Sequence, residues 1–246
     1  MDDGNATPDD VASKLRGPEG SRVGIVMERG GNVKDFILTR EPITITSVRS
    51  YISDTKNGIG KVGVIKIKSF SGTTANTVAD TLADLKKKGA ESFVLDVRGN
   101  PGGLLPGGVD TAALFLEADK PLVFVVDKKG VVDSQSTYTN GGTLESPLVI
   151  LVNGNTASAA EVMTAALKEN DRAVIVGEKT FGKGIIQTIR QLSNDNGGVA
   201  VTVARYETPK HNNINKQGIS VDIPVESCES EDAGVCIPPK AFKKSI

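Results

Sequence analysis

The pattern of apolar positions changes at about residue 62. From there to residue 206, short apolar runs alternate with stretches of helical spacing. Continuous apolar strands that alternate with helices argue for a sheet buried on both faces, so we expect an α/β fold. The predicted strands are VGVIKI, SFVLDV, PLVFVVD, VVDSQSTY, PLVILV, RAVIVG, GIIQTIR and VAVTVARY, and the predicted helices cover residues 74–88, 107–116 and 156–168.

The first 45 residues follow a different pattern. PDDVASKL predicts a short helix, and SRVGIVMER and KDFILTRE predict two strands joined by GGN. Two strands and a short helix bury little apolar surface, so residues 1–45 are interpreted as part of a small domain. We expect the α/β core over residues 46–226 and an irregular, polar tail over residues 227–246.

Composition limits the functions that are open to the chain. Its 246 residues are 38% hydrophobic and 24% charged, with 29 basic and 30 acidic residues and a formal net charge of −1. This balance lacks the basic surface that binds nucleic acid or anionic membranes. No apolar run approaches the roughly 18 residues of a membrane-spanning helix. The acidic start MDDGNATPDD is neither a signal peptide nor a transit peptide, so the protein is cytosolic or its targeting segment is encoded elsewhere.

Two cysteines, Cys228 and Cys236, lie in the tail. Two thiols and the distant His211 cannot provide the usual ligands of a zinc site, so no metal is expected, and no motif calls for a cofactor. A local disulfide would imply an oxidising compartment, whereas two unpaired thiols would not. The spacing of the cysteines leaves both possibilities open.

The most informative residue is Ser158, which follows the apolar strand PLVILV at the start of a predicted helix. This position exposes a hydroxyl at the edge of a sheet and directs the first helical N–H groups at whatever the hydroxyl attacks. The small side chains of Ala157, Ala159 and Ala160 leave room for a substrate backbone. Ser158 and Glu161 also form the pattern S-x-x-E of a helix-capping box, which requires no chemistry.

A candidate base for this serine is Lys183, which lies 183 − 158 = 25 residues later inside the sequence FGKG. A neutral lysine can activate a hydroxyl, and burial disfavours the charged form of a lysine, so we expect Lys183 to be buried and largely neutral when the protein is active. Gln187, four residues later, could orient the amine by a hydrogen bond. Alternatively, Lys183 is an ordinary lysine in a turn, and Gln187 is a polar position on a strand. His211, the only histidine, lies in the polar loop PKHNNIN and is interpreted as a surface residue.

The third candidate element is RGNPGG, at the end of the strand SFVLDV. Paired glycines at the end of a strand let backbone N–H groups approach a ligand closely. Gly102 or Gly103, together with the N–H of Ala159, would then form an oxyanion hole. N-P-G-G is also an ordinary turn sequence.

Together, DVRGNPGGLLPGGVD, LVNGNTASAAEV and GEKTFGKGIIQ resemble the carboxyl-terminal processing proteases, also called tail-specific proteases, over residues 12–224. The resemblance implies a ClpP/crotonase-like α/β core and a serine endopeptidase that cleaves proteins near their C-terminus. The roles it implies are Ser158 as nucleophile, Lys183 as general base, Gln187 as partner of the lysine, Gly102 or Gly103 with Ala159 as oxyanion donors, and Glu161 as an acid near the site.

The resemblance also implies an interpretation of residues 1–45. They are similar to the last helix and strands of the family's PDZ domain, so we expect a partial, β-rich PDZ remnant that lacks the carboxylate-binding loop. Family members act in the thylakoid lumen or the bacterial periplasm. The expected partners are protein substrates bound through their C-terminal segments, the expected compartment is one of these two, and we expect a monomer.

Two other functions fit the same sequence. The core is shared with retinoid-binding repeats, so the chain could be a non-catalytic binding module, although intact Ser158, Lys183 and Gln187 argue against this. A fragment that keeps these residues but lacks the capture surface would be inactive.

Overall fold

The computed structural model describes residues 7–41, 47–54, 60–142, 145–192, 197–226, 228 and 230–243. The chain divides into two compact units, Met1–Thr46 and Ser47–Ile246. The expected boundary between residues 45 and 46 lies outside the described residues. No helix in these described ranges is both long and apolar enough to cross a membrane.

The first unit contains helix α1 (Pro8–Leu15) and an antiparallel hairpin of β1 (Arg22–Arg29) and β2 (Asn32–Thr39). These three elements are confirmed. The guanidinium group of Arg40 donates hydrogen bonds to the carbonyl oxygen of Leu15, at 2.8 Å, and to the hydroxyl of Ser21, at 2.9 Å. Arg40 therefore joins the end of the helix to the base of the hairpin. The interpretation of this unit as a PDZ remnant stays a prediction.

The second unit is built on a six-stranded sheet. Its strands, in chain order, are β3 (Val48–Asp54), β4 (Lys61–Ile67), β5 (Ser92–Asp96), β8 (Leu148–Val152), β9 (Val174–Gly177) and β12 (Ile223–Pro224). The helices of this unit are α2 (Thr74–Lys87), α3 (Leu105–Ala113), α4 (Ala159–Glu169) and the short α5 (Lys240–Lys243). The order across the sheet is β12-β9-β8-β5-β4-β3, and every pair is parallel except β3 with β4.

The side chains of the parallel strands alternate between two hydrophobic clusters, one on each face. Phe93, Leu95 and Ile150 belong to the cluster beneath α2, α3 and α4, whereas Val94 and Val149 belong to the other. All residues of β5, β8 and β9 are buried. The expectation of a sheet buried on both faces is therefore confirmed for these strands.

Four of the predicted strands lie elsewhere. They form a second, antiparallel sheet in the order β10-β11-β6-β7, so the expectation that they join the buried sheet is wrong. The strands are β6 (Pro121–Asp127), β7 (Gly130–Ser136), β10 (Ile185–Gln191) and β11 (Gly198–Glu207). In β11 most positions are exposed, and an antiparallel sheet, unlike a parallel one, can leave a face in water.

The tail has more structure than expected. A 3₁₀ turn at Ala233–Cys236 and α5 pack on the second face of the six-stranded sheet, where Ile237 and Phe242 are buried. A disulfide joins Cys228 to Cys236, with 5.8 Å between their Cα atoms. An irregular tail was predicted because the segment is polar and rich in turn residues, and its short apolar segments, CIPP and AF, show no periodicity that indicates these elements.

Candidate active site

Three loops follow three neighbouring strands. Strand β8 pairs with β5 on one side and with β9 on the other, and all three run parallel. Their carboxyl ends therefore meet at one edge of the sheet, where ligands bind in open α/β sheets. The loop after β5 carries RGNPGG, the loop after β8 carries Ser158, and the loop after β9 carries Lys183. The topology thus brings together the three motifs that the sequence singled out.

Ser158 lies directly before α4, which begins at Ala159 rather than at residue 156 as predicted. Its backbone has φ 57° and ψ −123°. A residue at the N-cap of a helix ordinarily has an extended backbone, and positive φ is costly for a residue other than glycine. Capping requires no such conformation, although the Ser158–Glu161 capping box is present. Strain of this kind is concentrated at functional sites.

Glu161 is fully buried, and its carboxylate accepts four hydrogen bonds. One oxygen accepts the N–H groups of Ser158, at 2.9 Å, and Lys183, at 2.8 Å. The other accepts the Thr180 hydroxyl and the Gly182 N–H, both at 2.6 Å. These bonds compensate the charge for its lost hydration. One carboxylate therefore joins the serine turn (residues 153–158) to the lysine loop (residues 178–184).

The side chain of Lys183 is exposed, so the expectation that it is buried is wrong. Its flanking glycines pack against backbone instead of enclosing the amine, since a Cβ atom at Gly184 would lie 2.5 Å from the Asn215 nitrogen. In the described part of the chain, no hydrogen bond joins the Lys183 amine to the Ser158 hydroxyl or to Gln187.

Gln187 is exposed on β10, and its amide donates to the hydroxyl of Thr202 at 3.4 Å. The pairing of β10 with β11 shifts register between Ile186 and Gln187. Such bulges re-aim a side chain beside a site. The role of Gln187 as partner of Lys183 stays a prediction.

Hydrogen bonding distinguishes Gly102 from Gly103 in the glycine loop (residues 97–104), a choice that the sequence left open. The Gly102 N–H donates to the Asn100 side-chain oxygen at 2.8 Å and is therefore not available to a substrate. Across the ranges that the structure describes, the N–H groups of Gly103 and Ala159 donate to no acceptor. Of the proposed oxyanion donors, Gly103 and Ala159 fit the role and Gly102 does not.

Gly102 contributes by close packing. Its φ is 102°, and a Cβ atom there would lie 2.7 Å from the Cβ of Ser158 and 3.0 Å from the Ala159 nitrogen. Only glycine allows the loop to approach the serine turn this closely. The loop and the serine turn therefore form one packed unit.

An ion pair fixes the start of the same loop. Arg98 binds the buried Asp96 through two hydrogen bonds, at 2.8 and 2.7 Å, and these bonds raise the pKa of the guanidinium group. Arg98 also donates to the carbonyl oxygens of Cys228 and Ser230 in the tail. The ion pair therefore connects the loop to the disulfide-bonded tail.

His211 does not belong to this site. It is exposed, stacks on Phe124 with 4.1 Å between ring centroids, and pairs with Glu207 at 3.1 Å. Its interpretation as a surface residue agrees with these contacts.

Asn100 and Thr180 are two further buried residues of the site that were not predicted. The Asn100 side chain accepts the Gly102 N–H, whereas the Thr180 hydroxyl donates to Glu161 and accepts the Ile219 N–H. A signal for Asn100 was present, because asparagine side chains bind the N–H two residues later and the sequence N-P-G-G offers that donor. Thr180 had no signal, since its partner Glu161 is 19 residues away.

Comparison with known proteins gives consistent matches. The model of "Peptidase family S41" matches residues 61–225. The "Carboxyl-terminal-processing protease" of Synechocystis sp. is 43% identical over 220 residues, which are 89% of this chain and 51% of that protein. The "Carboxyl-terminal-processing peptidase 2, chloroplastic" of Arabidopsis thaliana is 38% identical over 91% of this chain and 44% of that protein.

A solved structure matches as well. The "Photosystem II D1 C-terminal processing protease" superposes with a TM-score of 0.70 and 38% identity, over 92% of this chain and 62% of that one. The chain spans about half the length of the curated relatives it matches.

Proposed function

Because the chain belongs to peptidase family S41, we propose that it is a serine endopeptidase that cleaves proteins near their C-terminus. Ser158 is the nucleophile and Lys183 is the general base. The observation that carries the proposal is the strained backbone of Ser158 beside the N–H groups of Gly103 and Ala159, which have no acceptor in the part of the chain that the structure describes. A helix cap needs neither feature.

The proposed reaction begins with attack of the Ser158 oxygen on the carbonyl carbon of the scissile bond. The neutral amine of Lys183 takes the hydroxyl proton and later gives it to the leaving nitrogen. The N–H groups of Gly103 and Ala159 stabilise the negative charge on the carbonyl oxygen. Water then hydrolyses the acyl-enzyme by the same steps.

Lys183 has to move for this reaction. Its backbone is held by Glu161, which also holds Ser158, so the two residues stay neighbours through one carboxylate. The exposed side chain is free to turn toward the serine when a substrate covers the site. Hydrogen bonds of catalytic groups often tighten only in the substrate complex. Gln187 then orients the amine.

The names of the relatives support C-terminal processing in a chloroplast or a cyanobacterium. The Cys228–Cys236 disulfide supports an oxidising compartment, either the thylakoid lumen or the bacterial periplasm. We further propose that the first unit derives from a PDZ domain and that the protein acts as a monomer on the C-terminal segments of other proteins.

Labelling with a fluorophosphonate probe, which reacts with activated serines, tests the nucleophile. The expected label lies on Ser158 of the native chain and is absent after heat denaturation and from Ser158→Ala. A label that persists in Ser158→Ala contradicts the assignment. A native chain that takes no label but binds a peptide with a free C-terminus would support the non-catalytic binding module.

Two lysine variants test the base. Lys183→Arg should lose labelling and peptide cleavage, because guanidinium stays protonated and cannot accept the hydroxyl proton. Lys179→Arg, an exposed position in the same loop, is the matched control and should keep both. An active Lys183→Arg variant would rule out the lysine base.

A further inference from the structure

Asn100 is a buried side chain at the site to which no role has been given. It follows β5 and is fully buried, at 0% exposure. Besides the bond from its own N–H to the Val97 carbonyl, at 3.2 Å, it makes three hydrogen bonds to the backbone of other residues. Its amide nitrogen donates to the Ile67 carbonyl at 2.9 Å, its side-chain oxygen accepts the Gly102 N–H at 2.8 Å, and its own carbonyl accepts the Ala157 N–H at 2.9 Å.

The orientation of the amide group follows from these partners. A carbonyl oxygen can only accept and an N–H can only donate, so the nitrogen must face Ile67 and the oxygen must face Gly102. An exchange of the two atoms would break both bonds inside the protein. The side chain is therefore held in one orientation by the end of β4 and by the glycine loop.

The bond to Gly102 determines which N–H of the loop faces the substrate. Gly102 and Gly103 both have positive φ, at 102° and 136°, and successive N–H groups of such a loop can both face one anion. Asn100 takes the Gly102 N–H, whereas the Gly103 N–H donates to no acceptor among the described residues. The loop is fixed on the other side as well, because Phe70 donates to the Gly102 carbonyl and accepts from the Leu104 N–H, both at 2.9 Å.

The backbone carbonyl of Asn100 acts on the second donor. It holds Ala157, the residue before Ser158, and Ala159 follows directly. One residue therefore fixes the glycine loop through its side chain and the serine turn through its backbone.

We propose that Asn100 is the positioning residue of the oxyanion hole: it sets the Gly103 and Ala159 N–H groups at the distance that the developing negative charge requires. Asn100 touches no substrate. The inference rests on the proposed protease activity. Activity alone does not test two parts of it: the Gly102 N–H is already bound to Asn100, and the Gly103 N–H is the one that binds the oxyanion.

The first experiment uses the unaltered chain. Proton–nitrogen spectra are recorded before and after a fluorophosphonate reacts with Ser158, since the phosphoryl oxygen of the adduct occupies the oxyanion position. The Gly103 and Ala159 amide protons should shift downfield and gain protection from exchange, while Gly102 should be protected in both states. A Gly102 signal that responds as strongly as that of Gly103 would overturn the proposal.

The second experiment compares Asn100→Ala with Asn170→Ala. Asn170 lies at the far end of α4, where its amide donates to the carbonyls of Pro121 and Ala166, at 2.9 and 2.8 Å. Asn100→Ala should lower kcat and the labelling rate by about 100-fold, the effect of one lost oxyanion donor. KM should change by less than about threefold, because the donors act on the transition state. Asn170→Ala should leave both rates near wild type.

The possible results distinguish a failure of the proposed protease activity from a failure of the role proposed for Asn100. A wild-type chain that is not labelled at Ser158 refutes the proposed activity and with it the role of Asn100. A labelled wild type with equal rates in Asn100→Ala and Asn170→Ala, compared at equal folded fraction, refutes the role of Asn100 alone. If Asn100→Ala does not fold, the spectra of the unaltered chain still decide between Gly102 and Gly103.

Discussion

Glu161→Gln is the substitution whose effect can be worked out most directly from the contacts. The two side chains have the same shape, but glutamine replaces one oxygen with an NH₂ group. All four groups around Glu161 donate to it. Only the Thr180 hydroxyl can rotate to accept a hydrogen bond from an NH₂ group, because the other three donors are backbone N–H groups. The new nitrogen therefore takes the side of Thr180 and Gly182.

The cost follows from the bonds on each side. The bonds from Ser158 and Lys183 remain but lose their charge-assisted strength, about 1 kcal/mol each. The Gly182 N–H faces another donor, which costs about 1–3 kcal/mol for a buried group. A neutral amide is easier to bury than a carboxylate, and this offsets part of the loss. We expect a net destabilisation of about 2–4 kcal/mol.

Urea unfolding measures this value, provided that the slope of the free energy against urea stays unchanged. Glu169→Gln is the matched control on the same helix. Its carboxylate also accepts two N–H donors, from Lys210 at 2.7 Å and Asn212 at 2.9 Å, but it lies at the surface end of the helix and should cost less than about 1 kcal/mol. A Glu161→Gln variant within 0.5 kcal/mol of wild type, on the order of the effect of a neutral surface change, would show that the charge of Glu161 does not stabilise the fold through these four bonds.

Three further predictions concern separate parts of the second unit. Gly102→Ala places a Cβ 2.7 Å from that of Ser158 and should reduce fluorophosphonate labelling at least about 100-fold while the fold persists; unchanged labelling would contradict the packing described here. Phe242→Ala should lower the free energy of unfolding by about 3–5 kcal/mol, since the ring is 4% exposed; a loss below 1 kcal/mol, on the order of a surface change, would show that α5 does not pack on the sheet. Burial raises the pKa of Tyr51, whose hydroxyl accepts the Ala233 N–H. The unfolded chain therefore ionises first, and the stabilisation present below pH about 10 is lost as the pH rises further. Urea midpoints followed from pH 8 to 11 should fall less steeply for Tyr51→Phe, and an equal fall in both proteins would count against this linkage.

The sequence predicted the parts of the fold that depend on local pattern. β5 and β8 are continuous apolar runs and could be recognised as buried strands, and the motif order then placed Ser158 and the glycine loop at their ends. What the pattern could not supply was the assignment of strands to sheets. β6 is as apolar as β8, yet it joins an antiparallel sheet, because pairing depends on partners far along the chain. β3 was missed, since VRSYISD alternates polar and apolar residues only weakly.

The candidate site divides in the same way. Ser158, Ala159 and the pair Gly102 and Gly103 could be predicted as site candidates from their places at strand ends. The exposure of Lys183 could not be predicted from FGKG, because glycines on both sides of a lysine are equally consistent with a buried amine and with a backbone that packs closely against a neighbouring turn. The choice between Gly102 and Gly103 required the position of the Asn100 side chain. Contacts of this kind depend on distances that a single sequence does not contain.

The match to the family model ends at residue 225, but the structural unit continues beyond it. Ile237 and Phe242 cover the valine-rich face of the sheet, formed in part by Val62 and Val94, and Arg98 binds the carbonyl groups of the same segment. An expression boundary drawn at the end of the recognised sequence would leave that face in water. The product would be expected to aggregate, and its inactivity could be mistaken for the lack of a working site. A minimal soluble version of this protein should therefore extend at least to Phe242.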